Sequence, residues 1–111
     1  MPARGEVWFA DLEPVKGHEQ GAQRPVLIFS VDTFNNGPAT LAIIIPLTTK
    51  NRNIPFHVEI HPPEGGVDKT SYIMCDHIRS ISKSRLINRL GKIADTIMNE
   101  VSERIAILLG L

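Results

Sequence analysis

Apolar and polar residues alternate along the chain in short blocks, a pattern typical of a β-rich fold. Branched and aromatic side chains dominate several segments bounded by Gly, Pro, Asn or Asp, and such segments predict strands. The predicted strands cover residues 6–12, 25–31, 40–47, 56–61, 70–81 (one strand or two) and 90–94. The segment 40–47 is the most hydrophobic, and Pro46 near its end indicates a sheet edge or a point where pairing stops.

Strict alternation in segment 56–61 predicts which face of that strand is buried. Phe56, Val58 and Ile60 are expected to point inward. The opposite face then carries His57, Glu59 and His61. Two imidazoles and a carboxylate on one face can bind a metal, but no Cys or second acidic residue lies nearby, so a solvated face is the favoured interpretation.

Near the C-terminus the apolar spacing changes to a helical one. The stripe Ile97, Val101, Ile105 and Leu108 predicts a helix over 96–109, capped by Asp95 and ended by Gly110. Single helical turns are expected over 82–86 and within the turn 32–38, the latter capped by Asp32. Short strands and one terminal helix predict a mainly β fold, a small, strongly bent antiparallel sheet or barrel.

Length and composition fit one domain spanning residues 1–111. No apolar segment is long enough to cross a membrane, and the N-terminus lacks the apolar stretch of a signal peptide, so a cytoplasmic protein is expected. The single cysteine, Cys75, excludes an internal disulfide. Its apolar neighbours Ile73, Met74 and Ile78 predict a buried structural thiol.

The formal net charge is zero, which argues against nonspecific coating of nucleic acid. Cations are nevertheless concentrated in one stretch without acids: Arg79, Lys83, Arg85, Arg89 and Lys92. Lys50 and Arg52 form a second basic spot. A locally basic face on a neutral protein suits the binding of a short anionic strand. The alternative is a solvated surface without a binding role, which is slightly favoured on charge alone.

The loop between the first two predicted strands concentrates chemically active groups. Within seven residues it carries an imidazole, a carboxylate, an amide and a guanidinium, those of His18, Glu19, Gln20 and Arg24. These groups can bind a phosphate and transfer protons around it. A solvated hairpin loop is the alternative interpretation.

Several separated motifs carry a family resemblance. They are Arg-Gly-Glu-Val-Trp at 4–8, Gly-His-Glu-Gln at 17–20 with Arg-Pro at 24–25, Pro-Leu-Thr-Thr at 46–49, Cys-Asp-His-Ile-Arg-Ser-Ile at 75–81 and Thr-Ile-Met-Asn-Glu-Val at 96–101. In this order the chain resembles the MazF/PemK (Kid) toxins, which are sequence-specific endoribonucleases. The resemblance implies the SH3-like small barrel that these toxins share with the gyrase poison CcdB. It also implies a homodimer and an antitoxin of the MazE/PemI type that covers the active groove.

The resemblance further implies cleavage of single-stranded RNA without a metal or other cofactor. Arg24 is the first catalytic candidate, for charge stabilisation with proton donation as a second option. Thr48 is the second, for a hydrogen bond to the same phosphate, although by sequence alone Thr49 serves equally well and a turn cap is the alternative. His18 is a candidate acid or base. The Kid type has His at this position, whereas many MazF relatives have Ser. Asp76 is a candidate base or a partner for nucleobase donors.

The chain departs from the Kid pattern in two places. Met74 occupies a position where the Kid type has Arg, which weakens any mechanism based on an Arg–Asp pair there. His77 replaces the more usual Gln, which concerns base recognition. Glu19 and Gln20 either read base edges or stiffen the loop. The remaining predicted RNA contacts come from Thr49, Lys50, Arg52 and Arg79.

Two other functions fit part of the pattern. A noncatalytic toxin that binds DNA gyrase, as CcdB does, is disfavoured because CcdB-like poisons carry a Trp in the C-terminal tail, whereas the only tryptophan here is Trp8. An inert SH3-like binding module has no need of His18, Arg24 and Thr48 together.

Overall fold

The computed structural model describes residues 2–12 and 23–111. This part of the chain contains seven β-strands and two α-helices. The strands are β1 Glu6–Asp11, β2 Gln23–Ile28, β3 Leu41–Thr48, β4 His57–Ile60, β5 Ser71–Met74, β6 Arg79–Ser82 and β7 Leu86–Lys92. The helices are α1 Asp32–Asn35 and α2 Asp95–Leu109. Short 3-10 turns occur at Glu64–Gly66, Cys75–His77 and Lys83–Arg85.

All the strands belong to one antiparallel sheet in the order β4-β5-β3-β2-β1-β7, with β6 paired to β3 beside this path. The prediction of a mainly β fold with a C-terminal helix is therefore confirmed. Among the described residues no pairing joins β4 to β7, so the sheet does not close into a barrel.

The strand β3 is the centre of the sheet rather than an edge. On one side it pairs with β2, where Val26 is opposite Pro46. On the other side it pairs first with β6, through Leu41–Ile44, and then with β5, through Leu47 and Thr48. Pro46 lies between these two pairings, where its missing N–H leaves no unsatisfied donor. The edge interpretation of Pro46 is wrong, and the interruption of pairing is what the structure shows.

Helix α2 packs on the main core through a face slightly rotated from the predicted stripe. Met98, Val101 and Ile105 are its buried residues, while Ile97 is only partly covered. The helix ends at Leu109 and is followed by Gly110, as predicted; Gly110 adopts the left-handed conformation with φ 73°. Neither described helix has both the length and the apolar character needed to cross a membrane.

The predicted N-caps are displaced by one residue. Asp95 is the first helical residue of α2 and Ala94 is the cap, without a side-chain bond. The Ala94 amide instead donates to the carboxylate of Glu64. Asp32 is likewise the first residue of α1, and its carboxylate accepts a 2.7 Å bond from the Arg4 amide. Both aspartates therefore lie in the first turn, where a carboxylate complements the helix dipole.

The 3-10 turn Glu64–Gly66 lies directly against β7. Gly66 has φ +77°, and a Cβ there would overlap the carbonyl oxygen of Leu90. On the other side of the contact, a Cβ at Gly91 would lie 2.6 Å from the Gly66 nitrogen. Two backbone segments thus meet without room for a side chain between them.

Cys75 is fully buried, as predicted, and we expect it to be unreactive in the folded protein. Burial raises the pKa of its thiol from 9.0 to about 11. This rise lowers the thiolate fraction by about 100-fold at neutral pH, and thiolate is the reactive form. Native protein should therefore be alkylated by iodoacetamide at least ~100-fold more slowly than protein unfolded in urea. Equal rates in the two states would contradict a buried thiol.

The same pKa shift makes the free energy of unfolding depend on pH in the alkaline range. The neutral thiol is favoured in the folded state, so its contribution to the free energy of unfolding is complete below pH 9.0. It is lost as the pH rises towards about 11.

Candidate functional site

The register of β2 against β3 brings the first two catalytic candidates together. Val26 is opposite Pro46 in this antiparallel pair. Arg24 lies two residues before Val26 and Thr48 lies two residues after Pro46, so the same register brings Arg24 opposite Thr48. The Nη1 atom of Arg24 donates a 3.1 Å hydrogen bond to the carbonyl oxygen of Leu47, the residue before Thr48. The guanidinium is therefore held beside the end of β3.

Both residues line the same concave pocket, which has a volume of about 270 Å³. Its walls come from the start of β2, the end of β3 and the first residue of β5. The lining residues are Gln23, Arg24, Pro25, Leu47, Thr48, Thr49, Lys50 and Ser71. A pocket with a half-buried guanidinium, hydroxyl groups and a lysine at its rim is suited to an anion such as a phosphodiester.

The surroundings of Arg24 in this pocket disfavour its charged form. Partial burial lowers the pKa of Arg24, and the nearby positive charge of Arg52 lowers it further. Arginine nevertheless stays protonated at neutral pH. A bound anion would remove both unfavourable effects, because it offsets the lost hydration and the repulsion from Arg52.

Thr48 is positioned as a hydrogen-bond donor. Its side chain is buried, with 8% of the residue exposed, and its Oγ1 accepts a 3.2 Å bond from the amide of Lys50. A hydroxyl that accepts through a lone pair keeps its hydrogen for another acceptor. Thr49, Lys50 and Arg52 are exposed around it and can bind flanking phosphates.

Asp76 lies apart from this pocket. The β3–β5 register places Tyr72 opposite Thr48, and Asp76 follows four residues later, in the 3-10 turn beyond the end of β5. Among the described residues that line the Arg24–Thr48 pocket, Asp76 and His77 do not occur. The structure therefore separates Asp76 from the two residues with which it was grouped.

Asp76 belongs instead to a second cluster with two histidines. Its Oδ1 atom lies 2.9 Å from Nε2 of His57 and 4.0 Å from Nε2 of His77. The His57 side chain is only 3% exposed, so the interpretation of a solvated face is wrong for this residue. The interpretation holds for the other two members of that face, since Glu59 and His61 are exposed, with Nε2 of His61 3.0 Å from a carboxylate oxygen of Glu59.

Most of the basic stretch 79–92 binds the chain's own groups. Lys83 donates to the Asn35 carbonyl at 2.6 Å, Arg85 donates to the Asp11 carbonyl at 3.3 Å, and Arg89 pairs with Glu6 at 2.8 Å. These cations are already bound to oxygens of the chain itself, which favours the structural interpretation for residues 83–89. Arg79 is exposed at the start of β6, two residues after His77, and stays a candidate RNA contact.

Three candidates, His18, Glu19 and Gln20, lie outside the described residues. Their assignment as acid or base and as base-reading side chains stays a prediction.

Comparison with known proteins gives a consistent picture. Residues 3–109 match the family model described as "PemK-like, MazF-like toxin of type II toxin-antitoxin system". A relative named Endoribonuclease MazF, from Staphylococcus saprophyticus, is 42% identical over 112 residues, covering 100% of this chain and 93% of that protein.

Solved structures agree with the family match. A crystal structure of MazF from Deinococcus radiodurans superposes with a TM-score of 0.86 at 32% identity, covering 99% of this chain and 97% of that one. An endoribonuclease in complex with its cognate antitoxin, from a mycobacterial species, has a TM-score of 0.80 at 31% identity, covering 100% of this chain and 97% of that one.

Proposed function

The chain belongs to the PemK-like, MazF-like toxin family of type II toxin–antitoxin systems, and from this membership we propose how it acts as an endoribonuclease on single-stranded mRNA. The 42% identical relative is named an endoribonuclease, which favours RNA cleavage over a noncatalytic gyrase-binding toxin. One observation carries the proposed chemistry: Arg24 and Thr48 line a single pocket of a size suited to a phosphodiester.

The proposed reaction needs no metal ion. The 2′-hydroxyl of the RNA loses its proton and attacks the adjacent phosphorus in line, and the bond from phosphorus to the 5′-oxygen breaks. A 2′,3′-cyclic phosphate and a 5′-hydroxyl result, the latter after the leaving oxygen takes up a proton. The phosphoryl oxygens carry the developing negative charge in this step.

Arg24 and Thr48 are assigned to those phosphoryl oxygens. The guanidinium stabilises the additional charge of the transition state, and its attachment to the Leu47 carbonyl keeps it in place before the substrate arrives. The Thr48 hydroxyl donates a hydrogen bond to the same phosphate. Arg24 is not assigned as the base, since it stays protonated; His18 is the candidate for proton transfer.

The second cluster is assigned to base recognition. Asp76 can accept hydrogen bonds from exocyclic amino groups of a nucleobase; His77 lies 4.0 Å from it, and the exposed Arg79 follows two residues after His77. The exposed residues Thr49, Lys50 and Arg52 then bind flanking phosphates, with Glu19 and Gln20 as further base readers.

Two partners complete the proposal. A MazE/PemI-like antitoxin is expected to cover the groove, by analogy with the mycobacterial endoribonuclease solved with its cognate antitoxin. A homodimer is supported by apolar side chains that stay exposed on the last turn of α2 and beyond, Ile107, Leu109 and Leu111. Because the substrate is mRNA, we infer that the toxin acts in the cytoplasm.

The decisive experiment is cleavage of a long single-stranded RNA in EDTA. We expect cuts at one short sequence, at the same rate with EDTA as with Mg²⁺. Downstream fragments should be labelled by polynucleotide kinase without prior phosphatase treatment, because they carry 5′-hydroxyl ends.

A matched substrate controls this experiment. The same RNA with a 2′-deoxy nucleotide on the 5′ side of the cut lacks the attacking hydroxyl and should stay intact. Cleavage of this substrate, 5′-phosphate ends, or cleavage that stops in EDTA would each refute the proposed reaction.

A further inference from the structure

We propose that His57, Asp76 and His77 form a binding site for Zn²⁺ or a similar transition-metal ion, distinct from the Arg24–Thr48 pocket. Each residue offers one ligand atom, and the three atoms all lie within 4.8 Å of one another. The site is built where the end of β5 passes into the 3-10 turn Cys75–His77 and meets the first residue of β4.

The distances are close to those of a coordinated ion. The Asp76 carboxylate oxygen is 2.9 Å from Nε2 of His57 and 4.0 Å from Nε2 of His77. Ligand atoms around a tetrahedral zinc ion lie about 3.3–3.6 Å from one another, given bond lengths of about 2.0–2.2 Å. Asp76 and His77 are the partly exposed members of the site, so their side chains are the ones that would rotate to reach such an arrangement.

The donor set selects the class of metal. Two imidazole nitrogens with one carboxylate oxygen suit Zn²⁺, Co²⁺, Ni²⁺ and Cu²⁺, whereas Mg²⁺ and Ca²⁺ prefer oxygen ligands alone. Three protein ligands leave a fourth position for water. The partial exposure of Asp76 and His77, 32% and 37% of their side chains, gives an ion access from solvent.

The buried histidine sets the expected affinity. The ring of His57 is 3% exposed and fixed by packing, which favours binding because one ligand is already in place. Its other nitrogen, Nδ1, is buried and has no hydrogen-bond partner among the described residues. Metal-bound histidines normally donate that second N–H, and loss of such a partner costs about 10- to 100-fold in affinity. We therefore expect a dissociation constant on the order of micromolar.

An ion at this site also has a consequence for RNA, which rests on the proposed function. Coordination occupies Asp76 and His77, the residues assigned to base recognition. Saturating Zn²⁺ should then slow cleavage at the recognised sequence, and EDTA should restore it. The ion is thus an inhibitory ligand, and not a cofactor of the reaction.

The test is isothermal titration calorimetry of metal-free, untagged full-length protein with ZnCl₂, together with Co²⁺ absorption spectroscopy. We expect one ion per chain and visible Co²⁺ bands. His77→Ala and Asp76→Asn should each weaken binding by at least about 10-fold. His61→Ala is the matched control, because His61 is an exposed histidine paired with a carboxylate just beyond the end of β4, and it should bind as the unmodified protein does.

Binding that is absent, or unchanged in both His77→Ala and Asp76→Asn, would overturn the proposal. Binding lost in His61→Ala alone would also overturn it, because the ion would then lie at the Glu59–His61 pair. Calorimetry and spectroscopy require no RNA, so their failure leaves the cleavage experiment in EDTA unaffected, and the reverse is equally true.

Discussion

Replacing Arg24 with Ala is expected to lower the rate of RNA cleavage by about 10³-fold, equivalent to about 4 kcal/mol of transition-state stabilisation. The half-buried guanidinium lies at the end of β3, where its hydrogen bond to the Leu47 carbonyl holds it in place. In a partly dehydrated pocket, such a group stabilises phosphoryl charge far more than it would in water. Single-turnover cleavage of a short RNA, with enzyme in excess, measures the effect directly.

Two variants control this result. Arg24→Lys keeps the charge but loses the bidentate geometry, so we expect an intermediate loss. Arg52→Ala removes a cation that is exposed yet close enough to lower the pKa of Arg24, and it should cost less than about 10-fold, an effect that disappears at high salt. An Arg24→Ala enzyme that retains most of its activity, or one that has simply unfolded, would not support the assignment.

The same single-turnover measurement can be made on Thr48→Val and on the double variant of Arg24→Ala and Thr48→Val. If both side chains act on one phosphate, the losses in the double variant should be smaller than the sum of the two single losses. Strict additivity would place the two residues at different steps or at different phosphates.

Replacing Gly66 with Ala is expected to destabilise the fold by about 3–5 kcal/mol, lowering the melting temperature by at least ~10 °C. The new Cβ would overlap the backbone of Leu90, and main-chain atoms cannot rotate away as a side chain can. The backbone at this position, with φ +77°, is itself unfavourable for alanine. Urea unfolding followed by circular dichroism provides the measurement.

Gly110→Ala separates the two causes. Gly110 has a similar φ of +73°, but nothing lies within 4 Å of the added Cβ. It should therefore cost only about 1 kcal/mol, the conformational part alone. Similar losses at both positions would show that crowding against β7 is not the dominant cause.

The fold was accessible from sequence because its strands carry a clear local signal. Branched residues bounded by turn residues located each strand to within a few positions, although β7 begins at Leu86 rather than near residue 90. The interpretation of Pro46 was less secure, because one proline can mark an edge or a gap between partners. Only the long-range pairings of β3 with both β6 and β5 distinguish these cases.

Only the Arg24–Thr48 part of the candidate site could be predicted from the sequence. Arg24 and Thr48 were paired through family motifs, and the β2–β3 register then explains why they meet. The burial of His57 could not be predicted in the same way. Its partner Asp76 is 19 residues away, so strict alternation within β4 contains no information about the turn that covers it. Local periodicity reports which face a residue occupies, but it does not report what packs on that face.

The attachment of Arg24 to a main-chain oxygen has an evolutionary consequence. A carbonyl group is present whatever the residue, so exchange of Leu47 for another apolar amino acid leaves the acceptor unchanged. The pairing of β2 with β3 therefore sets the distance between the Arg24 guanidinium and the Thr48 hydroxyl. Divergent descendants of this protein can alter the side chains around the pocket, and with them the RNA sequences they recognise, while the spacing of these two groups persists.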